Sequence, residues 1–220
     1  MFLGLVDVVD NVLSRDIVFV DKILSEKDGV RETVLKIVRE IIRGSGEAIR
    51  LIHLGEYGRA GERIKEVHMN VVRVKEVLHD HPDLYYSGLV YNGFSEYVEA
   101  VTTYKLIVEN NMPSYEELGV PYIPYLQGLG DVVGELRRHV LTLLNKGEVE
   151  EAEKYLEVME HIYLWLRKIN YPEALTPGLR HKVDVARRLI EDTKTLLINT
   201  RNAITLSNNI SRFLREIREK

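Results

Sequence analysis

Three features of the sequence predict an all-α protein, built as a single-domain antiparallel helical bundle. The six prolines fall at Pro82, between Pro113 and Pro124, and between Pro172 and Pro177, which leaves long proline-free stretches. Proline is expelled from helix interiors because it lacks an N–H and clashes with the preceding turn. Within those stretches apolar residues return every three or four positions, as in Val149, Ala152, Leu156, Met159, Tyr163 and Leu166. Nowhere is the every-second-residue alternation of a half-buried strand sustained.

In chain order, the periodicity predicts helices near 4–24, 28–54, 57–79, 84–110, 122–145, 148–169, 178–199 and 203–218. Gly44-Ser45-Gly46 falls inside the second, yet Ile41, Ile42, Ile49 and Ile52 continue across it, so the segment reads as helical. The third carries Arg59, Arg63 and Arg73 on one face shared with Glu62 and Glu66, the pattern of a salt-bridged surface rather than a nucleic-acid groove. Asn145-Lys146-Gly147 is a helix stop, and Glu148, Glu150 and Glu151 suit the positive end of the helix that follows. Val183, Ala186, Leu189, Thr193 and Leu196 make the stripe of the seventh. The terminal helices carry further apolar faces, with Leu3, Leu5, Val6, Val9 and Leu13 at one end and Ile204, Ile210, Phe213 and Leu214 at the other. Surplus apolar surface predicts a homo-oligomer.

The chain has 220 residues, enough for one core, and it is expected to form one domain over 1–220. It has no cysteine, which excludes disulfides, thiolate metal sites and a cysteine nucleophile, and which fits a reducing compartment. The N-terminal MFLGLVDVVDNVL is interrupted by Asp7 and Asp10 and lacks a basic leader, so it matches neither a signal peptide nor a membrane span. A soluble, cytoplasmic protein with no membrane partner is expected. The net charge of -4 argues against a uniformly basic nucleic-acid coat but leaves room for a local phosphate-binding patch. Gln127 is the one glutamine, a bias seen in heat-adapted proteins.

The chemistry lies on acids. In SEYVEAVTTYKLI, Glu96 and Glu99 are three apart and therefore project roughly 60° apart on one side of the 84–110 helix. Its apolar stripe, Val90, Phe94, Tyr97, Val98, Val101, Tyr104 and Val108, points largely the other way. The acids share their face with Asn92, Ser95, Thr103 and Asn110, and no lysine or arginine stands one turn away to answer them. Such a pair suits either a hard divalent ion such as magnesium or an ordinary wet polar face.

On the next helix, YLQGLGDVVGELRRHVLTLL, the stripe Leu126, Leu129, Val132, Val133, Leu136 and Val140 leaves Asp131 and Glu135 one turn apart on the other side. Antiparallel packing of the two helices would bring four carboxylates together, as in helical-bundle metal sites. Gly128, Gly130 and Gly134 each weaken the helix by about 1 kcal/mol relative to alanine, which implies a close approach there, most simply by another helix. Arg137 and Arg138 are candidates to hold phosphates, although Arg138 is equally placed to pair with Glu135. His79 and His81 beside Pro82 read as a surface turn, and no phosphate loop, HExxH, zinc motif or nucleophile triad occurs.

GFSEYVEAVTTYKLI, PYLQGLGDVVGELRRHVLTLLNKGEVEEAEKYLEVMEHIYLWLRKIN and GLRHKVDVARRLIEDTKTLL together resemble the translin family, and the paired glutamates resemble its Trax (translin-associated factor X) branch. REIIRGSGEAIRLIH is similar to the family's early helix, and the resemblance runs over roughly residues 28 to 200. It implies about seven helices, a hollow octamer, binding of single-stranded RNA and also of single-stranded DNA, and, in Trax, a magnesium-dependent endoribonuclease. Glu96 and Glu99 match the glutamates of Trax's EYVEA segment, Asp131 matches a third catalytic acid, and Glu135 matches the glutamate near it. Magnesium, with manganese as a substitute, would be held by Glu96, Glu99 and Asp131. Glu135 would be an accessory ligand or would orient Arg138. YYSGLVYN departs from the family by lacking the basic character some members show there, so the implied RNA binding does not extend to that surface. The rival expectations are a non-catalytic RNA- or DNA-binding assembly and a plain helical scaffold.

Overall fold

A computed structural model describes residues 2–218. They form eight helices and no strand: α1 (Phe2–His53), α2 (Tyr57–Val77), α3 (Pro82–Tyr85), α4 (Gly88–Val108), α5 (Tyr115–Leu118), α6 (Tyr122–Lys146), α7 (Val149–Leu166) and α8 (Leu179–Arg218). None of the described helices is long and apolar enough to cross a membrane.

The all-α expectation holds, but two boundaries do not. The segments expected at 4–24 and 28–54 are one helix of 52 residues, and those expected at 178–199 and 203–218 are one helix of 40. Neither junction contains a proline. Ser25, Asp28, Asn199 and Asn202 are residue types that cap helices but also sit within them when their side chains face water. Interactions with neighbouring elements support both junctions: Lys27 reaches Asp83 at 2.6 Å, and Arg201 pairs with Glu153. The 84–110 helix starts only at Gly88, because residues 82–85 make the separate turn α3 and Ser87 is extended. The one-turn α5 was unexpected, although its capping box is written in sequence: Ser114 accepts from the Glu117 N–H while the Glu117 carboxylate accepts from the Ser114 N–H. Gly147 ends α6 in the left-handed conformation, φ 80°, as Asn145-Lys146-Gly147 predicted. Gly44 to Gly46 are helical, also as expected.

The apolar faces close on two main clusters. One joins α1, α2 and α4 around Ile41, Val71, Val90 and Phe94, and the other joins α6, α7 and α8 around Val133, Leu136, Met159 and Ala186. Tyr125 packs against both. The seam between them is the contact of α4 with α6. There a Cβ on Gly128 would meet Ser95 O and Val98 Cβ at 2.7 Å, so a hydrogen is what permits the approach. Gly130 likewise admits Lys182 of α8, whose Cβ would lie 2.9 Å from an added methyl. The close approach inferred at Gly134 is not seen, since its nearest neighbour would be Leu189 Cδ1 at an ordinary 3.9 Å.

Candidate functional site

The glycine-mediated seam brings the acids of α4 and α6 into one neighbourhood. Glu96 and Glu99 are half-buried on α4, and Asp131 and Glu135 are half-buried on α6. Burial raises the proton affinity of Glu99 most, and Asp131, Glu96 and Glu135 add to it in that order, so that its pKa is pushed up to about 9. Glu96 is raised by burial and then by Asp131 and Glu135, with Lys182 acting against them. Glu96 and Glu99 of α4 therefore both feel Asp131 and Glu135 of α6. The face they occupy is drier than expected: Ser95 and Thr103 are buried, and Thr103 Oγ1 has no hydrogen-bond partner.

Two side chains that local spacing did not reveal, a lysine and a histidine, answer the acids. Lys182, near the start of α8, donates from Nζ to Asp131 Oδ1 at 2.6 Å and Oδ2 at 2.5 Å. His53, the last residue of α1, hydrogen-bonds through Nε2 to Glu135 Oε2, and its side chain is 6% exposed. Its Nδ1 is buried without a hydrogen-bond partner. Lys182 and His53 lie in segments already notable in the sequence, GLRHKVDVARR and EAIRLIH, but nothing in their own helices points to a partner 51 or 82 residues away.

Arg138 stands 4.0 Å from Glu135, too far for a hydrogen bond, and is largely exposed. Glu135 thus carries the expected ion pair with Arg138 and, closer to it, the hydrogen bond with His53. Arg137 is half-buried, and its Nε lacks a hydrogen-bond partner. His79 binds Asp80 in an exposed turn, and Arg63 bridges Glu47 and Glu66, both matching the surface readings.

The donor set suits a hard divalent ion: carboxylate oxygens only, half-buried, with an excess of negative charge. Among the described residues, however, no three His, Asp or Glu side chains are grouped closely enough to hold a metal ion as they stand. Two of the four acids are turned toward Lys182 and His53 instead.

From residue 29 to residue 197 the chain matches the Translin family. It is a member of the Translin family. An uncharacterized protein of Methanocaldococcus jannaschii is 31% identical over 191 residues, covering 86% of this chain and 84% of that protein. The Translin-associated protein X homolog of Schizosaccharomyces pombe is 23% identical over 182 residues, covering 76% of this chain and 79% of the homolog. Among solved structures, AfC3PO in complex with duplex RNA superposes with a TM-score of 0.80 at 34% identity, covering 86% of this chain and 97% of that one. The apo form of NeC3PO gives 0.72 at 30% identity, covering 82% and 96%. The translin-family fold therefore carries the α4–α6 acid neighbourhood described above.

Proposed function

We propose that this translin-family chain is a Trax-like, metal-dependent endoribonuclease that acts on single-stranded RNA, binds single-stranded DNA as well, and works as a cytoplasmic homo-oligomer of eight subunits. The observation that supports the nuclease reading is that Glu96 and Glu99 feel the charges of Asp131 and Glu135 across one helix seam, where Glu99 is driven to a pKa of about 9. At neutral pH Glu99 keeps a proton there, which a bound cation would displace. RNA as the ligand is supported by similarity to AfC3PO, whose structure was solved with duplex RNA. The Trax branch is supported by the fission-yeast relative.

Glu96, Glu99 and Asp131 would hold magnesium, or manganese in its place, with Glu135 beside them. When bound, the ion supplies Lewis acidity toward a phosphate and lowers the pKa of water. The rest falls to the chain's own side chains. Arg138, which is exposed, and Arg137, which is half-buried, would take a phosphate charge. Lys182 and His53 would hold the α6 acids in position, with the Lys182 charge offsetting that of Asp131 until a metal competes.

A second reading, a non-catalytic RNA-binding assembly, is favoured by one observation: the Lys182–Asp131 and His53–Glu135 contacts already engage two of the four acids without a metal. Cleavage of labelled single-stranded and duplex RNA, with magnesium and then with EDTA, separates the two. The nuclease reading expects magnesium-dependent scission of the single strand, stopped by EDTA and abolished in Glu99→Gln while RNA binding persists. Parental cleavage by Glu99→Gln would rule out the site. Binding without any scission would leave the second reading.

A further inference from the structure

The two longest helices run far beyond the core. Every residue from 4 to 26 of α1 and from 201 to 215 of α8 is exposed, whereas burial starts only at Val34 and ends at Leu197. At 1.5 Å per residue these overhangs reach about 35 Å and about 25 Å. Both lie outside the 29–197 span shared with the Translin family, and AfC3PO is covered over 97% of its length by only 86% of this chain.

Each overhang is a helix with one apolar stripe. On α1, Val6, Val9, Leu13, Ile17, Val20 and Leu24 fall within about 80° of one another, and Val8, Val12 and Phe19, the last 65% exposed, flank them on one side and extend the apolar face to about 180°. On α8, Ala203, Leu206, Ile210, Phe213 and Ile217 follow the alternating three-and-four spacing of a coiled-coil seam, with Phe213 61% exposed. Their charges are opposite. Residues 4–24 hold Asp7, Asp10, Asp16 and Asp21 against Arg15 and Lys22, whereas residues 199–218 hold Arg201, Arg212, Arg215 and Arg218 against Glu216. They also leave the molecule at different ends. The α1 overhang passes α3, where Lys27 meets Asp83, and the α8 overhang passes the start of α7, where Arg201 meets Glu153.

We infer that the α1 overhang of one copy pairs with the α8 overhang of a second copy, making a head-to-tail contact that the family core does not contain. Pairing α1 with α1 would set acidic flanks together, and pairing α8 with α8 would set arginines together; only the mixed pair joins apolar seam to apolar seam with opposite charges alongside. Formed once between two copies, such a contact is heterologous and closes into a ring or extends into a chain; formed reciprocally, it closes a two-fold dimer. It does not depend on the nuclease reading, which rests on residues of the α4–α6 seam, nor on the number of subunits.

The cysteine-free chain makes the test direct. Full-length Leu13→Cys is mixed under oxidising conditions with full-length Leu206→Cys, Ile210→Cys or Phe213→Cys in turn. The mixed pair is expected to shift from 25.4 kDa to twice that mass on a non-reducing gel at one or more of the three positions, while each variant alone stays at 25.4 kDa. Cross-linking of Leu13→Cys with itself, or of an α8 variant with itself, would replace this contact with a homotypic one and overturn the inference. So would the absence of a cross-link in all three mixtures, whether the overhangs then prove to bind lipid vesicles or another protein.

Discussion

Glu99 sits where burial and three neighbouring acids all favour its neutral form, and it sits there without a basic neighbour on its own helix. Glutamine keeps the shape and removes the charge. Glu99→Gln is therefore expected to raise the stability of the metal-free protein by about 1–3 kcal/mol at neutral pH. Thermal melts in EDTA check this, and an ordinary surface glutamate would instead change by well under 1 kcal/mol. Lys182 predicts the opposite sign. Lys182→Met leaves Asp131 half-buried and unanswered, which should cost about 1–3 kcal/mol without metal and should enlarge the stabilisation gained on adding magnesium. Melts of parent and variant, with and without magnesium, decide it. A Lys182→Met protein that gained nothing extra from magnesium would argue that Asp131 is no metal ligand. The acid pair on α4 was legible at this scale because a three-residue spacing fixes two side chains on one face. The lysine that answers Asp131 was not, because it belongs to another helix.

Helix packing sets the spacing of those acids. Gly128 is the point of closest approach of α6 to α4, and a methyl there would meet Ser95 O and Val98 at 2.7 Å. Gly128→Ala is expected to destabilise by about 1–3 kcal/mol, because backbone must move to make room. The same substitution at Gly46, an exposed helical position with nothing within 4 Å of an added Cβ, is expected to stabilise by about 0.5–1 kcal/mol through helix propensity alone. Urea unfolding of the two variants checks both signs at once. The sequence pointed to close packing along Gly128, Gly130 and Gly134. It could not say which glycine meets which helix, nor that Gly134 meets nothing closer than Leu189 Cδ1. Spacing within a helix reports its own faces, whereas the register between two helices depends on how their side chains interlock.

At the scale of the whole molecule, acid sensitivity and assembly are the readable properties. His139 packs edge-on to Tyr155 with ring centroids 4.6 Å apart, and its pKa is pushed down to about 4, first by burial and then by the charges of His53 and Lys146. Its unfolded value near 6.5 is higher, so between about pH 6.5 and 4 the unfolded chain binds a proton that the folded chain refuses. Its contribution is present above about pH 6.5 and is lost as pH falls toward 4. His139→Gln should recover about 1–2 kcal/mol of the stability that the parent loses between pH 7 and 4.5, measured by denaturant titration at each pH. Assembly follows from exposed apolar surface: Leu5, Val6, Val9, Leu13, Ile204, Ile210, Phe213 and Leu214 are all open to solvent, while the Leu3 side chain lies outside the described residues. Light scattering at micromolar concentration should give a mass several times 25.4 kDa, and a monomer would defeat the proposed oligomer.

By itself the sequence determined that the chain is helical, that α6 stops at Gly147 and that Glu96 and Glu99 share a face, along with Asp131 and Glu135. Each of these depends only on residues a few positions apart, through proline exclusion, left-handed glycine and the helical period. Tertiary structure alone decided that Lys182 meets Asp131, that His53 joins Arg138 at Glu135, and that Ser95 and Thr103 are buried. It also decided that α1 and α8 continue as single helices where residues acceptable both inside and outside a helix allowed a break. Contacts between residues 51 and 82 positions apart depend on the crossing of whole helices, and a helix's own periodicity carries no information about where another helix will cross it.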